Sequence, residues 1–169
     1  MHIVLDKYDH LSFLLDSLIY MSIVKSGNVK YRFDPVRIED SLRRVTDDLS
    51  FKAGEKQISV TNSFENDLPL VMGDVEYLPY LFRSLVDNSI KFSPPGGNVD
   101  ITAFKDDGHV HIIIKDSGIG IPKTEFSNVF KRFYQIDGSM ARKYDGSGLG
   151  LYVSKMIADV HQGGDMDRE

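Results

Sequence analysis

The chain has 169 residues, no cysteine, 27% charged and 41% hydrophobic residues and a formal net charge of -5. That length holds one domain with a core of its own plus an appendage. The composition excludes a disulfide framework and a thiolate metal site, suits a reducing cytoplasm, and argues against wrapping nucleic acid or an anionic membrane.

The longest apolar patch, Leu11 to Val24, carries Asp16 and several hydroxyls, too short and polar for a spanning helix. No signal peptide is visible, so membrane contact is expected only through a longer parent protein. From Asp6 to Lys25, the residues Leu11, Leu14, Leu15, Leu18, Ile19 and Met21 follow helical spacing, and Ser26-Gly27-Asn28 supplies a stop. This predicts an amphipathic helix roughly 30 Å long, whose stripe either folds back on the later domain or pairs with another helix. Pairing is the expectation, because an exposed stripe of Leu and Met is an association surface. His10 is read as a histidine on the solvated edge of that helix.

Val29 to Phe33 reads as a short strand and Pro35 as the start of a turn. Ile38, Leu42, Val45 and Leu49 predict a second amphipathic helix over Ile38–Ala53. Alternation around Ile58 and Val60 predicts a strand over Lys56–Asn62. Leu68 to Gly73 reads as a connector, ending at Asp74 as the N-cap of a third helix, Asp74 to Phe92.

Along that helix, Leu78, Leu81, Phe82, Leu85 and Ile90 make the buried stripe, while Ser84, Asn88 and Lys91 share an adjoining face at i, i+4, i+7. A neutral Asn beside a polyphosphate can give Mg²⁺ one hard oxygen and leave the remaining positions to phosphate and water. Lys91 offers a point charge one turn on. On an arbitrary helix the same face is merely a solvated stripe. Pro79 falls about one turn from the N-cap, where a proline is expected to tilt the first turn.

Ser93-Pro94-Pro95-Gly96-Gly97 is a turn, and Asn98–Phe104 with Val110–Lys115 form a hairpin around Asp106-Asp107-Gly108. His109 and His111 share a strand face, but no third metal ligand accompanies them. Ile112, Ile113 and Ile114 form a continuous apolar run, expected to be covered on at least one face. Asp116-Ser117-Gly118-Ile119-Gly120-Ile121-Pro122 follows it. An ionised Asp at a strand end accepts well from an exocyclic adenine amine, and Gly118 and Gly120 let a flat ring approach the backbone. The same residues also close ordinary turns.

Phe126, Val129, Phe130 and Phe133 predict a short aromatic helix, and Gln135 to Asp145, with Arg142 and Lys143, a mobile loop. Gly146-Ser147-Gly148-Leu149-Gly150-Leu151 opens the last helix. Glycines leading into a helix N-terminus present N–H groups and the positive dipole end to an anion. The pattern matches neither a Walker loop nor a Rossmann turn.

In this order, the helix asparagine, the strand-end aspartate with glycines, the aromatic segment and the glycine-led helix resemble the catalytic and ATP-binding domain of sensor histidine kinases. Leu85-Val86-Asp87-Asn88-Ser89-Ile90-Lys91-Phe92-Ser93 is similar to the family's N box, Asp116 to Gly120 to its G1 box, Phe130-Lys131-Arg132-Phe133-Tyr134 to its F box, and Gly146 to Leu151 to its G2 box. The resemblance covers about Val29 to Gly164 and implies an α/β fold of the Bergerat type, a two-layer sandwich of mixed sheet on helices with ATP between. It implies that Asn88 ligates Mg²⁺, Lys91 contacts phosphate, and Asp116 accepts from adenine in a pocket shaped by Gly118 and Gly120. It adds Phe92, Ile121, Phe130, Arg132, Phe133, Tyr134 and Arg142 as further nucleotide-contacting positions. Lys131 to Ser147 would be the ATP lid, and Gly146, Ser147, Gly148, Leu149, Gly150 and Leu151 would line the phosphates.

Residues 1–28 would match the second helix of the dimerisation and phosphotransfer hairpin, making a homodimer, and 29–169 the catalytic domain. Partners implied are the phosphoacceptor histidine segment and a response regulator receiver domain, in the cytoplasm. Four departures stand out. Ser84 replaces a usual Asn, Gln135 replaces a common Arg, the chain ends where the family continues into further strands, and no histidine is followed by an acid and a Thr-Pro turn. The γ-phosphoryl of ATP would therefore pass to a histidine outside this chain. The rival readings are a Bergerat-fold ATPase, which would need a base where Ser84 stands, and a non-catalytic nucleotide- or partner-binding module, which would bind ATP without yielding phosphohistidine.

Overall fold

The computed structural model describes residues 11, 15–24, 30–136 and 147–161. In chain order these form helix α1 (residues 15–24), β1 (Phe33–Val36), α2 (Ile38–Glu55), β2 (Ser59–Phe64), β3 (Val71–Asp74), α3 (Tyr77–Phe92), β4 (Asn98–Asp106), β5 (His109–Asp116), a single 3₁₀ turn (Lys123–Glu125) and α4 (Gly150–Val160). Strands β2, β4 and β5 make a mixed sheet in that order, β2 parallel and β5 antiparallel to β4, while β1 and β3 form a separate antiparallel ribbon.

The core lies between the mixed sheet and the helices. Val99, Ile101 and Ala103 alternate along β4 and are fully buried, as expected when one face of a strand is covered. Their register partners Ile114 (opposite Ile101) and Ile112 (opposite Ala103) are packed against the same core. Ile113, between them, is 51% exposed on the other face. The Ile112–Ile114 run is thus an alternating strand with one covered face, as expected from the sequence. On the helix side, Ile38, Leu42, Val45, Leu49 and Ala53 of α2 and Leu78, Leu81, Phe82, Val86 and Ile90 of α3 bury the stripes that close the sandwich. Val86 takes the fully buried place expected of Leu85, which is only partly buried.

Several boundaries differ from the sequence reading, each for a local reason. The strand expected at Val29–Phe33 lies at Phe33–Val36 and contains Pro35, opposite Met72; a two-stranded ribbon has free edges, where a missing N–H is tolerated. The connector expected at Leu68–Gly73 holds β3, that ribbon's partner. Asp74 is not the N-cap of the third helix, a position held by Glu76; it ends β3, and its carboxylate reaches the start of α3 from there. Its Oδ1 accepts from the N–H groups of Glu76 (2.9 Å) and Tyr77 (3.2 Å), and its Oδ2 from Arg32 N–H (2.8 Å). Because α3 begins at Tyr77, Pro79 sits in the first turn, where no intrahelical N–H bond is lost. The strand expected at Lys56–Asn62 runs Ser59–Phe64, displaced by a turn in which Gln57 has φ +57°. The aromatic helix expected after Pro122 is a 3₁₀ turn followed by further turns.

Helix α1 folds back on the domain, with only Met21 of the predicted stripe taking part among the described residues. Ser17, Tyr20 and Met21 are buried, whereas Leu11, Leu15, Leu18 and Ile19 are exposed; Leu14 lies outside the described residues. The Tyr20 hydroxyl bonds that of Tyr31 at 2.9 Å, its ring packs 4.7 Å from that of Tyr77, and Ser17 bonds Tyr80. Polar hydroxyls at the tips of large rings let this face dock without an aliphatic stripe. Burial raises the pKa of all three tyrosines Tyr20, Tyr77 and Tyr80, that of Tyr80 to about 12.

Candidate functional site

Two close approaches of backbone assemble the residues singled out by the sequence. The first joins the end of α3 to the end of β5. Asp116 closes β5, and its Oδ1 accepts the Gly118 N–H at 2.8 Å, folding the chain into a tight turn. A Cβ at Gly118 would lie 2.6 Å from that carboxylate oxygen and 3.2 Å from the Phe92 carbonyl oxygen. A side chain there would displace the Asp116 carboxylate and press on the last residue of α3. Ser117 pins the same turn, its Oγ accepting the Asn98 N–H at 2.9 Å. The Asp116 side chain is exposed at the sheet's edge, with Gly120 and Ile119 also exposed beyond it and Ile121 half-buried.

The second approach joins the aromatic segment to the start of α4. Phe133 N–H donates to the Gly148 carbonyl at 3.0 Å. Gly148 has φ +67°, and a Cβ there would lie 2.6 Å from the Tyr134 carbonyl oxygen and 2.7 Å from Phe133 C. Phe133 itself has φ +61°, uncommon for a bulky residue. The Arg132 guanidinium lies 5.0 Å from the Phe133 ring centroid, and Phe130 is half-buried behind it. Ser147 Oγ accepts the Leu149 N–H at 3.3 Å, Leu149 is buried, and α4 begins at Gly150 with no side chain capping its first turn. The N–H groups of Gly150 and Leu151 thus belong to an open helix N-terminus, a favourable place for an anion.

Helices α3 and α4 pack on one another. A Cβ at Gly73 would meet both Leu78, at the start of α3, and His161, just past the end of α4. Counting back from that shared point, Asn88 on α3 and Gly150 on α4 each lie roughly 15 Å along. Asn88 and Lys91 lie toward the end of α3, whose last residue, Phe92, holds its carbonyl oxygen 3.2 Å from where a Cβ on Gly118 would be. Asn88 and Lys91 are half-buried, with Lys91 Nζ 5.1 Å from the Phe92 ring centroid. Ser84, one turn before Asn88, is not on a solvated stripe as the bland reading had it. It is buried, and its Oγ has no hydrogen-bond partner among the described residues. Arg142 and Gly146, with the other residues of 137–146, lie outside the described residues. His109 and His111 stand on the hairpin, with His111 stacked on Phe104, and among the described residues no cluster of three potential metal ligands occurs.

The sequence reading missed a polar clamp at the mouth of the aromatic segment. The Tyr134 hydroxyl donates to Glu125, whose Oε2 also accepts from Asn128 Nδ2 at 3.2 Å, and Lys131 Nζ donates to Asn128 Oδ1 at 2.6 Å. The Tyr134 bond, and next that of Asn128, hold the Glu125 carboxyl below its ordinary value. Glu125, Asn128 and Lys131 recur every third residue, a spacing that could have revealed them had the segment been read as successive tight turns.

The residues fit a nucleotide in three respects: an acceptor at a strand end beside a closely approaching backbone, a helix N-terminus with no side-chain cap among the described residues, and an Asn and a Lys near the end of α3. Residues 73–169 match the family of histidine kinase-, DNA gyrase B- and HSP90-like ATPases. The chain is 39% identical over 150 residues to the methyl sulfide methyltransferase-associated sensor of Methanosarcina acetivorans, covering 89% of this chain and 15% of that one. Among solved structures, the mycobacterial sensor histidine kinase MprB superposes with a TM-score of 0.68 at 30% identity, over 78% of this chain and 81% of that one. Full-length ShkA, solved in complex with AMPPNP, gives 0.76 at 27% identity, over 91% of this chain and 32% of that one. The chain spans between 15% and 30% of the length of the first curated relatives it matches. This chain belongs to the histidine kinase-, DNA gyrase B- and HSP90-like ATPase family, and the part of it in hand is an ATP-binding catalytic domain of the sensor histidine kinase type.

Proposed function

We propose that this domain binds ATP between the Asp116–Gly118 turn and the N-terminus of α4 and presents its γ-phosphoryl group to a histidine outside the chain. The observation that supports this reading is the approach of Phe92, at the end of the helix that carries Asn88 and Lys91, to Gly118 in the turn after Asp116. In this reading Asp116 accepts from the adenine amine, Gly118, Gly120 and Ile121 shape the pocket around the ring, and Phe92 borders it. Gly148, Leu149, Gly150 and Leu151 offer backbone N–H groups and the helix dipole to the phosphates, with Lys91 as a compact counter-charge. Asn88 would hold Mg²⁺ by its side-chain oxygen; the ion, when bound with ATP, neutralises phosphate charge. Phe130, Phe133 and Tyr134 brace the base of a segment that closes over the nucleotide, and Arg132 extends its charge from there, with Arg142 as a further cation.

In the transfer, an imidazole nitrogen of the partner segment attacks the γ-phosphorus, a P–N bond forms, the bond to the β–γ bridging oxygen breaks and ADP leaves. The domain's own contribution is position and charge neutralisation. The phosphoryl group would then move to a receiver domain. Exposed Leu11, Leu15, Leu18 and Ile19 support a homodimer through α1, as the helix of a dimerisation hairpin. No helix among the described residues is long and apolar enough to cross a membrane; in this reading a domain that uses ATP would work in the cytoplasm. Ser84, a buried hydroxyl where a water-activating base would stand, weighs against an ATPase reading. The test is transfer in trans: the chain, Mg·ATP and a phosphoacceptor hairpin should yield acid-labile, alkali-stable phosphohistidine on the hairpin. Bound ATP with no such product would favour a non-catalytic module.

A further inference from the structure

Lys56 is not among the residues placed in the site above, yet its ammonium makes three long-range hydrogen bonds to the end of α3. It lies just past the end of α2, and Nζ donates to the carbonyl oxygens of Ile90, Lys91 and Ser93, each at 2.8 Å. These belong to the last turn of α3 and the residue after it. The final carbonyls of a helix have no intrahelical donor; at this end one is satisfied by Ser93 N–H bonding Ser89 O at 3.1 Å, and two more by Lys56. The Phe92 carbonyl lies between the residues Lys56 holds, and its oxygen stands 3.2 Å from where a Cβ on Gly118 would be. Its main chain also ties the next turn, Gly96 N–H donating to Lys56 O at 2.9 Å, and Ser59, the first residue of β2, adds its own N–H to Gly97 O at 3.0 Å. Gly97 in turn packs against the Ser117 hydroxyl. Both walls of the Asp116–Gly118 turn therefore lead back to Lys56.

We propose that Lys56 is a positioning residue for the nucleotide's base. It holds the end of α3 so that the Phe92 main chain stays against Gly118 and the pocket beside Asp116 keeps its shape. The inference rests on the nucleotide reading given above. Lys56 acts through the main chain on either side of Phe92. A cap that merely stabilised α3 would change melting without singling out the base; a residue that shapes the adenine pocket changes affinity for every adenine ligand by one factor, whatever its phosphate count.

The experiment measures adenosine, ADP and Mg·ATP affinities for the full chain, for Lys56→Met and for Lys91→Ala, well below the melting point of each. Lys56→Met should weaken all three ligands by about the same factor, roughly tenfold, a change of about 1.4 kcal/mol, and shift the ¹⁵N-labelled Gly118 amide resonance before any ligand is added. Lys91→Ala should weaken Mg·ATP and leave adenosine within twofold. Should Lys56→Met fail to fold, Lys56→Gln, which keeps two N–H donors without the charge, is expected to weaken the three ligands about threefold. A folded Lys56 variant that binds all three within the wild-type error, or that loses Mg·ATP but not adenosine, overturns the proposal. Absence of binding by the wild-type chain would count instead against the nucleotide reading itself.

Discussion

Gly148 carries two constraints at once, a left-handed backbone and a steric limit set by the Phe133–Tyr134 peptide. Alanine there would adopt a φ it rarely visits and would need the aromatic segment to retreat. The expected cost is about 1–3 kcal/mol, which lowers the melting midpoint by at least about 3 °C for a chain of this size. Gly54, with open space where a Cβ would go, is the control, and Gly54→Ala should melt close to wild type. The buried tyrosines supply a pH signature. Their folded pKa values lie above the ordinary one near ~10, so the neutral hydroxyl is favoured in the folded state. The stability this provides is complete below about pH 10 and is lost as pH rises toward the folded values, about 12 for Tyr80. Wild-type stability measured by denaturant between about pH 9 and 11 should therefore fall, and Tyr80→Phe should show a shallower fall. Equal slopes would mean that Tyr80 is not protected in solution.

At the scale of elements, α1 has two faces with separate tasks. The Ser17–Tyr20–Met21 face is buried on the domain, and the Leu11–Leu15–Leu18 face is not. Leu15→Asp with Leu18→Asp removes apolar groups that are 57% and 47% exposed. The double variant should lower self-association by tenfold or more in sedimentation, with melting of the dilute protein changed by less than about 0.5 kcal/mol per site. A wild-type monomer at high concentration would contradict the pairing assigned to this face. Elements of strong period were legible in the sequence. The apolar spacing of α2 places that helix with the boundary off by two residues at one end. The hairpin of β4 and β5 followed from alternation around Asp107-Gly108. What period could not show was the ribbon of β1 and β3, four residues each and broken by Pro35 and Gly73. Nor could it show that α1 docks by hydroxyl-tipped rings, because Leu outweighs Tyr in any count of apolar spacing.

For the whole molecule, the site is a product of topology. Asn88, Asp116 and Gly150 come from three segments, tied by the packing of α3 on α4 and the contact of Phe92 with Gly118. The motifs were readable one by one, and their order pointed to the family. The ties that set their spacing, from Lys56 to the end of α3 and from His161 Nε2 to the Asp74 N–H at 2.9 Å, join residues 34 to 87 positions apart, and no local pattern carries them. The central claim is that these segments form a single nucleotide site with Asp116 on the base. Calorimetric titration of the chain with ATP, with and without Mg²⁺ and alongside Asp116→Asn, tests it most directly. The account predicts binding that Mg²⁺ strengthens and that the variant weakens ten- to a hundredfold, the loss of a charge-assisted hydrogen bond of about 1.5–3 kcal/mol. Equal affinity in wild type and variant, or no binding by the folded chain, would contradict it.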